Sequence, residues 1–204
     1  MNDILFSNEL EKTILNQKKD FFYVNGDNVN SIVRNLRFVY HSVIASENLL
    51  LCAIQQLMLS EASSYRDTVL SYFTEHLEEE RGHAEWLAKD LTTHGISISD
   101  LDNDAMAMVG SQYYMIHHRS PYCLLGYLAV AEGTPTPISE IEKLENVYGR
   151  MLFSFARFHS IKDEEHKIEL FEVINKTPIR HRDDIRNSTK ATLICISRAA
   201  KHWI

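Results

Sequence analysis

The residues best suited to chemistry lie late in the chain, where His159, Asp163 and His166 follow one another at intervals of four and three. On a helix of 3.6 residues per turn, this spacing brings both imidazoles and the carboxylate onto one face. Apolar residues before and after them continue that face, so it should point inward, where an unpaired carboxylate is costly. A bound metal would remove the cost. Alternatively, the histidines are partly exposed and Asp163 pairs with a lysine such as Lys167.

A second group of possible ligands lies in an upstream helix. His76 and His83 are seven residues apart and share a helical face, on which Glu79 lies between them. Glu80 and His83 have the i,i+3 spacing that carboxylate-bridged di-iron bundles use. The glutamates could instead form an exposed acidic face. Gly82 costs about 1 kcal/mol in a helix interior, so its presence predicts the close approach of another helix or a ligand.

Two further carboxylates follow apolar patterns. Glu132 ends a nearly continuous apolar run that begins at Cys123. If it is buried there, it needs a partner, as a metal ligand or a buried base would have; otherwise it is a helix end that emerges into solvent. Glu47 falls on an apolar helical stripe, where it could be a ligand, a partner of a ligand, or one end of a buried ion pair with Arg37 or Arg34.

The kinds of ligand indicate the kind of metal. Imidazoles and carboxylates on several inward-facing helices favour Fe or Mn. Structural Zn sites rely on cysteine, and Mg and Ca avoid imidazole. Iron would give a helical bundle an oxidative function.

The elements that must position these residues are helices. Apolar residues at intervals of three and four predict long helices over Ile32–Leu59 and Tyr65–Thr93, and Asn25–Asn28 predicts a turn with a capping residue before the first. A short helix is predicted near Glu9–Lys19, and another runs from a cap at Ser99 or Asp100 to about His118. The next two are predicted from Pro121 through Glu132 and from Glu140 to about Asn175. The second of these has Ser139 and Glu142 as a capping box and a bend near Gly149, and a last helix covers about Asp183–His202. The predicted fold is an all-α bundle of seven or eight helices in one domain, residues 1–204.

Composition excludes other classes. The chain has 204 residues with 7 Gly and 4 Pro, whereas average usage would give roughly 14 and 10. This is too few turn-forming residues for an all-β fold of many short strands. A net charge of -7 predicts no nucleic-acid partner. The N-terminus lacks a basic segment, and the longest uninterrupted apolar run, near Tyr122–Ala131, is too short to span a membrane. Three isolated cysteines, Cys52, Cys123 and Cys195, suit a cytoplasmic protein.

With these motifs, the chain resembles the haem-oxygenase-like helical bundles, and among them the di-iron oxidases and oxygenases that include the chlamydial death-domain-associated protein. The resemblance rests on the run His159, Asp163 and His166 after aromatic residues, on the helix that ends at Glu132, and on the upstream His83. TenA/thiaminase II and pyrroloquinoline-quinone synthase share the fold and parts of the pattern. The resemblance implies two non-haem irons that activate O2 to oxidise a small amine, amino acid or fatty acid. Because helical bundles of this kind often pair through an exposed helix face, we also expect a homodimer.

One position departs from the family pattern, which has Glu-x6-His on the second long helix, where this chain has His76 and His83. Either His76 is a ligand, or Glu79 or Glu80 replaces the lost carboxylate, or one iron site is weakened. The ligands predicted for the site are His76, Glu79, His83, Glu132, His159, Asp163 and His166.

Two other functions are compatible with the same fold. One is a cofactor-free enzyme, similar to TenA or to the quinone synthase, in which Cys123 or Glu132 acts directly. The other is a binding protein that kept the bundle and lost the chemistry, for which the replacement at His76 is the best argument.

Overall fold

The chain folds into helices throughout the part that the computed structural model describes, residues 5–21 and 28–202. Two short 3-10 segments, Pro121–Cys123 and Arg150–Phe153, precede α7 and α9. The α-helices are α1 (Phe6–Phe21), α2 (Val29–Val43), α3 (Ser46–Leu59), α4 (Ser64–Glu80), α5 (His83–Thr93), α6 (Asn103–His118), α7 (Leu124–Ala131), α8 (Ile138–Tyr148), α9 (Ser154–Asn175) and α10 (Ile179–Ala200). None of the described residues forms a strand. The bundle has eight helices if two pairs, α2 with α3 and α4 with α5, are each counted as one interrupted helix. The prediction of an all-α fold is confirmed.

Both long predicted helices are interrupted. A turn at Ile44 and Ala45 separates α2 from α3. Between α4 and α5, Gly82 has φ +83°, in the left-handed region that glycine adopts at low cost. A side chain at Gly82 would meet nothing within 4 Å, so the prediction that this glycine admits a neighbouring helix or ligand is wrong. Its role is to redirect the chain between two helices.

The helix starts follow capping chemistry only in part. Asn28 caps α2 by accepting hydrogen bonds from the backbone N–H groups of the next turn, as its sequence context predicts, whereas residues 25–27 of the predicted turn lie outside the described residues. Asp102 caps α6 in the same way, so the predicted caps Ser99 and Asp100 are wrong. The predicted cap Ser139 lies inside α8, which begins directly after Pro137 without a side-chain cap. Gly149, with φ +96°, ends α8 and makes the predicted bend a complete break.

Helix α7 lies at the centre of the bundle, and every residue from Leu124 to Val130 is buried. It packs closely against α10 at Gly126, where a Cβ atom would meet the carbonyl oxygen of Ile185 and lie 2.9 Å from the backbone nitrogen of Thr189. The Thr189 hydroxyl also donates to the Gly126 carbonyl at 3.2 Å. This contact fixes α7, and therefore the position of Glu132 at its C-terminus.

One helical stretch, Val29–Leu59, has the length and the composition of a membrane-crossing segment, with a mean hydropathy of 1.4 over its most apolar window. This stretch comprises α2, the intervening turn and α3. Only 22% of that window is buried inside the structure. This similarity to a membrane-crossing segment rests on length and composition alone. The search for uninterrupted apolar runs in the sequence missed it, because charged and polar residues interrupt this stretch.

Candidate metal centre

Four helices bring all seven predicted ligands into one continuous cluster. The C-terminal half of α4 contributes His76 and Glu79, the start of α5 contributes His83, and the C-terminus of α7 contributes Glu132. Helix α9 contributes the remaining three, His159, Asp163 and His166. All are buried except His159, whose side chain is 17% exposed, and Glu79, whose side chain is 42% exposed.

The first group consists of His76, Glu79 and His166, whose potential ligand atoms all lie within 4.8 Å of one another. Glu79 Oε2 is 3.3 Å from Nε2 of His166 and 3.8 Å from Nδ1 of His76. On the opposite nitrogens, Glu132 places Oε1 3.0 Å from Nε2 of His76 and Oε2 3.6 Å from Nδ1 of His166. The two imidazoles therefore lie between two carboxylates.

The second group consists of Glu80, His83 and His159, again within 4.8 Å of one another. Glu80 Oε1 is 3.0 Å from Nδ1 of His83, and its Oε2 accepts a hydrogen bond of 2.9 Å from the Ser46 hydroxyl. The rings of His83 and His159 meet edge to face with centroids 4.8 Å apart. Glu80 was only an alternative ligand in the sequence interpretation. The structure places Glu79 in the first group and Glu80 in the second.

The break at Gly82 explains this division. A continuous helix would have kept His76 and His83 on one face, as the sequence predicted. Instead α4 ends at Glu80 and the chain turns before His83, so the two histidines belong to different groups.

Asp163 connects the two groups. Its Oδ1 lies 3.0 Å from Nδ1 of His159 and 3.6 Å from Nδ1 of His166. The alternative pairing with Lys167 is wrong, because the Lys167 ammonium donates to Glu11 at 2.6 Å. The prediction that the three residues share one inward face is confirmed.

Helix α9 is held against α5 by a polar anchor one turn before the histidines. Asp90 Oδ2 accepts from the Ser154 hydroxyl at 2.7 Å and from the Phe155 N–H at 3.0 Å. The indole N–H of Trp86 donates to the same Ser154 hydroxyl at 2.7 Å. These bonds set the start of α9 and bring His159 next to His83.

The cluster contains buried polar atoms that lack hydrogen bonds among the described residues. They are Nε2 of His159, both ring nitrogens of His166, and Oε2 of Glu132. Unsatisfied buried groups of this kind typically cost 1–3 kcal/mol each, and a native structure rarely gathers several in one place. A cation among them would satisfy all of these atoms except one nitrogen of His166, because an imidazole binds a metal ion through only one of its two nitrogens. The residues therefore fit a metal centre. The nitrogen and oxygen donor set suits Fe or Mn.

The charges of the cluster are strongly coupled. Burial lowers the pKa of His76, but the adjacent Glu132, with Glu80 and Glu79, more than offsets this and raises it to about 9. The pKa of His166 is also raised: burial opposes the change, and the nearby carboxylates of Asp163, 3.6 Å away, and Glu132 produce it. Despite burial, which acts the other way, His159 and His166 hold the pKa of Asp163 below its usual value. Without metal, protons on His76 and His166 therefore offset part of the carboxylate charge, and a metal would displace them.

The two remaining carboxylates have clear positions. The Glu132 side chain is only 11% exposed, so the alternative of a helix end in solvent is wrong. Glu47 is half-buried, and its Oε1 accepts from the Gly82 N–H at 3.4 Å. Its predicted ion pair is absent from the described part of the chain, because Arg37 donates to the Ser97 carbonyl and Arg34 donates to the carbonyl of His202.

Comparison with known proteins agrees with this fold and donor set. Residues 34–196 match the model of a family described as iron-containing redox enzymes. This match covers most of the chain, which therefore belongs to that family.

The structure is also similar to two solved structures. One is a domain of unknown function with a heme oxygenase-like fold from Shewanella denitrificans, with a TM-score of 0.76 and 16% identity over 96% of this chain and 89% of that one. The other is a TenA homolog from Pseudomonas syringae pv. tomato, with a TM-score of 0.72 and 10% identity over 97% of this chain and 92% of that one. The haem-oxygenase-like fold inferred from the sequence is confirmed. A search of curated proteins finds no match.

Proposed function

We propose that this protein is a non-haem di-iron oxidase or oxygenase that activates O2 to oxidise a small organic substrate. The observation that carries the proposal is the pair of His and carboxylate groups with Asp163 between them. Each group offers two imidazoles and at least one carboxylate. Two groups of this kind match the needs of two metal ions, and the family match supports iron as the metal.

When bound, the two ions would supply the electrons that reduce O2. The chain's own residues hold and orient the ligands. Asp163 engages Nδ1 of His159 and leaves its buried Nε2 free to face a metal. Glu80 engages Nδ1 of His83 in the same way and is itself held by Ser46. Carboxylates that bind the second nitrogen of a ligand histidine fix the tautomer and orientation of its ring.

The first group has a carboxylate at each side of its imidazoles, so Glu79 and Glu132 divide two roles. The carboxylate on the metal side acts as a ligand, and the other one accepts from the second ring nitrogens. The position of His76 between them supports its assignment as a nitrogen ligand in place of the carboxylate that the family pattern has there.

The cofactor-free alternative is less well supported. Burial, with the charge of Asp184, raises the pKa of the Cys123 thiol to about 12, so Cys123 is not an activated nucleophile. Glu132, the other residue considered for direct catalysis, is engaged with His76. The unsatisfied imidazole nitrogens in the interior favour a metal-binding protein over one that kept the bundle and lost the metal centre.

The test of this function is O2 consumption by protein loaded anaerobically with ferrous iron. The proposal expects rapid O2 uptake in proportion to protein. It also expects the loss of this uptake in the His159→Ala/His166→Ala variant and its retention in His118→Ala, where the histidine is exposed on α6. If the loaded protein takes up no more O2 than free iron does in buffer, the proposal fails. The cytoplasmic location, the homodimer and the lack of a nucleic-acid or membrane partner remain predictions.

A further inference from the structure

Glu79 forms the outer edge of the candidate metal centre. Its side chain is 42% exposed, whereas no other residue of the two ligand groups has a side chain more than 17% exposed. The inner oxygen, Oε2, lies 3.3 Å from Nε2 of His166 and 3.8 Å from Nδ1 of His76. These three residues form the first group, so an ion bound there would lie directly behind an exposed carboxylate.

The outer oxygen of the same carboxylate faces a lysine. Lys162, on α9, places its ammonium nitrogen 3.8 Å from Oε1 of Glu79. The same ammonium donates a hydrogen bond of 2.8 Å to Glu165, three residues later on the helix. Among the described residues, Lys162 is the one lysine or arginine within 4.0 Å of a carboxylate of either group. Glu79 is therefore held between two histidines on its inner side and one ammonium group on its outer side.

Aromatic rings cover the second group. The ring of His159 has centroid distances of 4.3 Å to Phe155 and 5.4 Å to Phe158, and the ring of His83 lies 6.3 Å from that of Trp86. These rings offer no carboxylate or imidazole to replace the water that an ion loses on its way inward, and an unpaired ion in apolar surroundings is costly. The exposed carboxylate of Glu79 supplies such a ligand, so the easier path leads past it.

Passage of an ion requires the Glu79 side chain to turn aside, because this side chain closes the path. The contact with Lys162 opposes that movement. It uses Oε1 and leaves Oε2 to the histidines or to a metal, so it is compatible with both the empty and the loaded centre. Lys162 should therefore slow the entry and the exit of an ion alike. Glu165 competes for the same ammonium group and weakens this hold on Glu79.

We propose that metal ions enter and leave the centre past Glu79, and that Lys162 is a gating residue that holds this carboxylate closed. The inference rests on the metal centre of the proposed function, but it does not depend on any reaction with O2. In this account Lys162 acts through Glu79 and is not itself a ligand.

The test measures the rates of metal exchange with Co²⁺, which follows Fe²⁺ directly in the order of affinity for protein ligands. Stopped-flow absorbance records uptake by metal-free protein, and an excess of EDTA, at concentrations that no longer affect the rate, records release. Lys162→Met should raise both rates by about 3- to 5-fold, the factor expected from the loss of one exposed ion pair. Lys162→Arg should restore the slow exchange. The matched control is Lys190→Met, an exposed lysine of α10, and it should change neither rate.

A second variant separates gating from simple repulsion between Lys162 and the ion. Glu165→Gln leaves Glu79 as the one carboxylate partner of the ammonium group, so uptake and release should both become slower. Repulsion alone predicts opposite changes in the two rates: in Lys162→Met, faster uptake with slower release, and in Glu165→Gln, slower uptake with faster release. Helical circular dichroism, recorded on each variant, should be unchanged.

Three outcomes would overturn the proposal. They are unchanged rates in Lys162→Met, opposite changes of uptake and release in either variant, and no uptake of Co²⁺ by the unaltered protein. O2 consumption by protein loaded with ferrous iron separates this inference from the proposed function. Protein that shows the expected rates but consumes no O2 retains the entry path and refutes the oxidase, whereas O2 consumption with rates that Lys162→Met leaves unchanged refutes only the gate.

Discussion

The Glu132 carboxylate lies 3.0 Å from Nε2 of His76, although the two residues are 56 positions apart in the sequence. The pair joins the end of α7 to α4 inside the bundle. Because α7 is itself fixed against α10 at Gly126, the carboxylate is presented to the cluster by a rigid support. Preorganised ligands of this kind reduce the cost of metal binding.

Glu132→Gln keeps the size of the side chain and removes its charge. We expect the affinity for ferrous iron to fall by at least about 10-fold, because the centre loses either a ligand or the acceptor that orients its histidines. Anaerobic iron titration measures this change. Glu140→Gln, which alters an exposed carboxylate soon after it in the chain, is the control. Equal affinities in the two variants would remove Glu132 from the centre.

Substitutions of His76 test the departure from the family pattern. His76→Glu restores a carboxylate at that position and should raise iron occupancy, since a further negative ligand favours binding of a cation. The same change should lower the melting temperature of metal-free protein, because it places a third carboxylate beside Glu132 and Glu79. His76→Ala should lower occupancy. If neither variant changes iron content, His76 is not a ligand.

The stability of metal-free protein should fall between pH 6.5 and pH 9. The pKa of His76 is raised from its ordinary 6.5 to about 9 in the folded protein, so its stabilising contribution is complete below pH 6.5 and is lost as the pH rises through 9. The raised pKa of His166 acts in the same direction. The expected loss is on the order of 3 kcal/mol. Urea unfolding of chelator-treated protein at several pH values measures it, and a flat profile across this range would contradict the assignment.

Gly126→Ala tests the support beneath Glu132. The added methyl group would meet the backbone of α10, which cannot move aside as a flexible side chain can, and we expect a loss of about 2 kcal/mol. Gly110→Ala is the matched control, because a Cβ at Gly110, within α6, meets nothing within 4 Å. Alanine favours a helix interior by up to about 1 kcal/mol, so this variant should be slightly stabilised. Chemical unfolding compares the two, and equal effects would show that the α7–α10 contact is not close.

The sequence predicted the late helix well because its signal is local. His159, Asp163 and His166 share a face through helical periodicity alone, and their contacts confirm this. The choice between Glu79 and Glu80 could not be made in the same way. It depends on where α4 ends and on the hydrogen bond from Ser46, a residue of another helix, so Glu80 is the member of the cluster that sequence reasoning left out of its ligand set.

The predicted bounds of the second long helix were wrong for a similar reason. Gly82 was interpreted as a small residue within one helix, because its position in the apolar pattern gives no information about its φ angle. A tendency of glycine to end helices could have indicated the break. Asp90 contacts the start of α9 and so aligns α5, which carries His83, with α9, which carries His159. This contact joins residues more than 60 positions apart and therefore has no local signal in the sequence.

The most direct test of the metal centre is the iron content per chain after anaerobic loading with excess ferrous iron and removal of unbound metal. Two independent groups of ligands predict a value near two. They also predict that His83→Ala and His166→Ala each lower the value, since each removes a ligand from a different group, while helical circular dichroism is retained. A value near zero in the unaltered protein, or an unchanged value in the His159→Ala/His166→Ala variant, would contradict the account.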